Sequence, residues 1–92
     1  MPYINKDDRL RIDDKLNGFT PRDGGELQYA IARMIENHYS AKESVRYKDM
    51  EAMMGALNGA NIEHYRCVVA PYEEKKIREN GGVYGQHGGK SY

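Results

Sequence analysis

Tyr65, Arg66, Tyr72, Lys75, Lys76 and Arg78 crowd one stretch of a chain that has eight tyrosines and no tryptophan. Tyrosine rings stack on planar groups, guanidinium groups pair with phosphate through parallel hydrogen bonds, and ammonium groups add positive charge. The cluster therefore outlines a pocket for a small nucleotide, within one chain or between subunits. Tyr65, Arg66, Tyr72 and Lys76 are its candidate ligand-binding residues. Two facts weigh against it. Glu73 and Glu74 lie in the same stretch and offset the positive field. Tyrosines also cover thin cores with their hydroxyls at the surface, which is the simpler account.

Other chemistry finds less support. His64 and Cys67, three apart on one predicted helix, share a face, and His38 is a possible third metal ligand. A zinc site needs about four ligands, and no second pair has suitable spacing. A Cys67–His64 nucleophile lacks an evident carboxylate or amide to orient its base, and neighbouring Val68 and Val69 favour burial. Gly24-Gly25 precedes a helix without the Lys-Ser/Thr of a phosphate loop, and Asp23 and Glu26 would repel an anion there. No catalytic residue, metal or cofactor is assigned, and the reading leans away from an enzyme.

These residues must be positioned by helices. Asn5 caps a first helix over about Lys6–Asn17, with Gly18 as its stop. A loop holding the only phenylalanine, Phe19, follows, and burial of that ring is expected to anchor it. Asp23 caps a second helix, with Glu26 three residues on. Its apolar face is Leu27, Ala30, Ile31, Met34, Ile35 and His38, and it ends near Tyr39 or Ser40.

A polar connector, with Ser44 as a cap, leads into a long third helix over about residues 46–70. Its seam is Met50, Met54, Leu57, Asn61, Tyr65 and Val68, and its length is about 37 Å at 1.5 Å per residue. Met50, Met53, Met54 and Leu57 spread over two adjacent faces and are the candidate interface residues. Pro71 disfavours helical geometry at Ala70 and removes a hydrogen bond. A kink is expected there rather than a fresh start, because Ala70 is a poor N-cap. Helix resumes over Tyr72–Asn80 and stops at Gly81.

The expected fold is all-α, with three or four helices, a long third helix and a short N-terminal arm. Residues 1–80 form one helical domain, and residues 81–92 a flexible Gly-rich tail. A core this thin favours self-association, so a homo-oligomer packed on the third helix is expected.

The balance of Lys plus Arg against Asp plus Glu, 14 to 14, argues against a DNA-binding domain. One cysteine and no apolar run of about 20 residues suit a cytoplasmic protein outside the membrane. Met1-Pro2-Tyr3-Ile4-Asn5-Lys6 lacks the apolar run of a signal peptide.

Met1-Pro2-Tyr3-Ile4, Gly25-Glu26-Leu27-Gln28-Tyr29-Ala30-Ile31, Tyr65-Arg66-Cys67-Val68-Val69-Ala70-Pro71-Tyr72-Glu73, Lys76-Ile77 and Asn80-Gly81 together resemble a family of short, uncharacterised phage and bacterial proteins. The resemblance runs through residue 84. It departs at Cys67, where the family often has Arg, and in the extra Gly-rich end. It implies a phage or bacterial cytoplasmic setting and supplies no catalytic residues. The functional expectation is a non-enzymatic oligomeric module that binds a host protein. The alternative is a counter-defence protein that sequesters a signalling nucleotide at the Tyr/Arg/Lys cluster.

Overall fold

The computed structural model describes residues 4–84, and every regular element among them is helical. Helix α1 spans Lys6–Leu16, α2 spans Gly24–Ser40, and α3 spans Tyr47–His64. A π turn, Tyr65–Val69, joins α3 directly to α4, Ala70–Asn80. These last three segments form one continuous long third helix. Residues 1–3 of the expected arm and 85–92 of the expected tail lie outside the described residues. The chain divides into two units, Met1–Gly55 and Ala56–Tyr92, with the boundary inside α3.

In the first unit each helix starts on a side-chain cap. Asn5 Oδ1 accepts the Asp8 N–H at 2.8 Å, and Arg9 Nε donates to the Ile4 carbonyl at 2.7 Å, tying the lead-in to α1. Asp23 Oδ1 accepts the Glu26 N–H at 2.8 Å. Glu26 in turn accepts from the Arg22 N–H and guanidinium, so donors at the helix start are satisfied from both directions. The third helix uses the reverse half of this arrangement. Asp49, in its first turn, accepts the Arg46 N–H at 2.9 Å, and Lys42 lies 3.5 Å from the same carboxylate. Helix α3 therefore begins at Tyr47, three residues after the expected cap Ser44. Helix α1 ends at Leu16, one residue short of the expected Asn17, which caps it with its N–H on the Asp13 carbonyl, and Gly18 does not take a positive φ.

No described side chain is fully buried. The half-buried residues of α1 and α2 are Asp8, Ile12, Glu26, Ala30, Ile31, Ile35 and Tyr39. Leu27 and Met34, expected on the same buried face, are about half exposed, at 48% and 50%. Phe19 is exposed, so burial does not anchor its loop. The tyrosines at 29, 47, 65 and 72 are likewise exposed and cover no core.

In the second unit the long helix passes through Pro71. Proline in an α-helix lacks the N–H for the carbonyl four residues back, and its ring crowds that carbonyl. A π turn admits one extra residue and widens the ladder. Here Ala70 N–H bonds to the Tyr65 carbonyl, five residues back. Val69 and Ala70 keep helical dihedrals directly before the proline. The expected boundary near residue 70 is thus absorbed by a turn of different period. Gly81 stops the helix with φ 80°, a conformation open to glycine, and its N–H bonds to the Ile77 carbonyl at 2.8 Å.

Candidate functional site

The π turn decides which side chains meet around Pro71. Tyr65 and Glu73 are eight residues apart, which in a regular α-helix puts them about 80° apart. The extra residue of the π turn rotates the following segment back by about 100°. The Tyr65 hydroxyl consequently donates to Glu73 Oε1 at 2.9 Å. The Glu73 carboxylate holds that hydroxyl above the ordinary tyrosine range. Lys76 Nζ sits 5.6 Å from the centre of the Tyr72 ring and 3.3 Å from Glu79.

Tyr72 and Lys76 line a shallow hollow with Glu73, Ile77, Asn80 and Gly81. Of the four candidate ligand residues, these two share the hollow. Tyr65 is engaged by Glu73, and Arg66 pairs with none of the described residues and does not line the hollow. Glu73 is the residue that sequence reasoning left out of the site. Its eight-residue offset from Tyr65 falls on different faces at the usual helical period, so nothing short of the π turn links them.

His64 and Cys67 are exposed, contrary to the burial expected from Val68 and Val69, and Val68 is exposed too. The Cys67 thiol donates to Glu63 Oε1 at 3.5 Å. Among the described residues no three His, Cys, Asp or Glu side chains gather around a point that could hold a metal.

The apolar candidates define a second surface. Met50, Met54 and Leu57 are exposed at 45%, 55% and 40%, while Met53 is half-buried. Residues 50, 54 and 57 follow a four-then-three step and so share one face of α3.

A third surface is an apolar groove in the first unit. Leu16, Phe19, Pro21, Leu27, Ala30 and Met34 line it together with Lys15, Tyr29 and Arg33, around about 500 Å³. Arg33 lies 5.6 Å over the Tyr29 ring and donates to its hydroxyl at 2.9 Å. That hydrogen bond holds the Tyr29 hydroxyl below the ordinary tyrosine range. The residues of this groove carry a signal in the sequence, but it points to a core: Leu27 and Met34 have the spacing of a buried face, and Phe19 is the only phenylalanine.

Residues 1–83 match the family model described as a domain of unknown function, DUF6899, and the chain belongs to that family. No curated protein and no solved structure matches the chain. No described helix is long and apolar enough to cross a membrane.

Proposed function

We propose that this member of the DUF6899 family is a non-enzymatic, self-associating binding module, a phage-type accessory protein of the host cytoplasm that engages a host protein. One observation carries the self-association: none of its described side chains is buried, and Met50, Met54 and Leu57 lie exposed along one face of α3. A helical domain of this length draws most of its stability from packing an amphipathic face. With that face uncovered, association is the remaining source of hydrophobic burial. The phage-type setting rests on the motifs from Met1-Pro2-Tyr3-Ile4 to Asn80-Gly81. Native mass spectrometry of the full chain tests the assembly. Complexes of two or more copies are expected, and Met54→Lys is expected to dissociate them. A wild type that stays a single copy rejects the reading, and turnover of a metabolite by the purified protein rejects its non-enzymatic part.

The nucleotide-sequestering alternative has narrower support, in Tyr72 and Lys76 meeting at one hollow. Glu73 in the same hollow opposes an anion. Titration calorimetry with a panel of cyclic nucleotides separates the two readings. The alternative requires heat from the wild type that is lost in Tyr72→Ala and Lys76→Ala, and a silent wild type rejects it.

A further inference from the structure

We propose that the groove between the end of α1 and the start of α2 receives the Met50–Met54 strip of a second copy, with Glu51 of that copy meeting Lys15 and Arg33. The inference rests on the self-association proposed above and specifies which surfaces meet.

The groove is apolar along Leu16, Phe19, Leu27 and Met34, and its lining contains two cations and no carboxylate. Lys15 makes no ion pair or hydrogen bond with any described residue, and Arg33 donates to the Tyr29 hydroxyl and also feels the nearby Glu36 carboxylate. The strip has the opposite character. Residues 50–62 carry a single charge, Glu51, which pairs with none of the described residues. An apolar hollow edged by two cations, of which Lys15 is unpaired, is thus matched, on the same chain, by an apolar strip with one unpaired negative charge.

Leu27 and Met34 are seven residues apart, about two helical turns, and Met50 and Met54 are four apart, about one turn, so the strip fits within the row. Methionine, unbranched and flexible, adapts to an irregular groove. Every copy carries both surfaces, so two copies can exchange them reciprocally, and one set of contacts is then made twice. This self-complementarity favours a second copy over an unrelated partner. An unrelated partner would have to bring an apolar, acidic strip of its own.

Charge reversal in full-length protein tests the pairing. Glu51→Lys sets like charges together in both contacts of a pair of identical copies, as does Lys15→Glu combined with Arg33→Glu. Each variant is expected to associate at least roughly tenfold more weakly than wild type. An equimolar mixture of the two restores opposite charges in both contacts, so mixed pairs are expected to exceed the statistical share in native mass spectra. Circular dichroism checks that each variant retains its helices, since Arg33 also holds Tyr29. If wild type assembles but neither variant weakens it, or the mixture shows no preference for mixed pairs, this docking is overturned while self-association stands. A wild type that never assembles removes both.

Discussion

Asn5, Asp23 and Asp49 each satisfy a backbone N–H at a helix start, through bonds of 2.8, 2.8 and 2.9 Å. Because no described side chain is buried, local bonds of this kind carry an unusual share of the order within each helix. Asn5→Ala is expected to lower the stability of α1 by about 1 kcal/mol, read as reduced helical content and a lower thermal midpoint. The ionised carboxylates add a pH dependence. Bonds from the Arg22 side chain and backbone hold Glu26 below the ordinary carboxylate range, and the Arg46 N–H does the same for Asp49. A carboxylate lowered on folding stabilises the fold above its ordinary range, and the effect is lost as pH falls through the lowered value. Helical signal is therefore expected to decline below about pH 4, and Glu26→Gln should remove part of that decline. Tyr65 has the opposite sign. Its raised value favours the folded state up to the ordinary tyrosine range, and that contribution fades as pH rises through the raised one.

At the scale of elements, the long third helix is unusual for running through a proline. The π turn ends at Val69, two residues before Pro71, and moves Glu73 under Tyr65. Pro71→Ala restores an N–H and removes the crowding ring. It is expected to raise stability by up to about 3 kcal/mol and to return the segment to the ordinary period. The Tyr65–Glu73 bond should break with that rotation, and the Tyr65 titration should move back down toward the ordinary tyrosine range. A higher midpoint with the Tyr65 titration unchanged would mean that something other than Pro71 sets the π turn. The limits of α1 and α2 were legible in the sequence because caps act within three or four residues. The run of helix on both sides of Pro71 was legible too. The π turn was not, because proline alone does not specify whether a helix kinks, restarts or widens. Once it widens, every later residue changes face, and so the Tyr/Arg/Lys cluster came out only partly assembled, with Glu73 among it.

At the scale of the whole chain, Met50, Met54 and Leu57 have the spacing of one apolar face, and all three are exposed. Apolar spacing in the first unit overstates burial. Leu27, Met34 and Phe19 have core-like patterns yet line an open groove, because periodicity records that a surface is apolar and not which molecule covers it. Sedimentation equilibrium of the full chain, with helicity followed over the same concentrations, tests the account most directly. Mass is expected to rise above the 10.5 kDa of one chain with concentration, and helicity with it, because burial and assembly are coupled. A 10.5 kDa species that keeps full helicity and a sharp thermal transition at every concentration would contradict it.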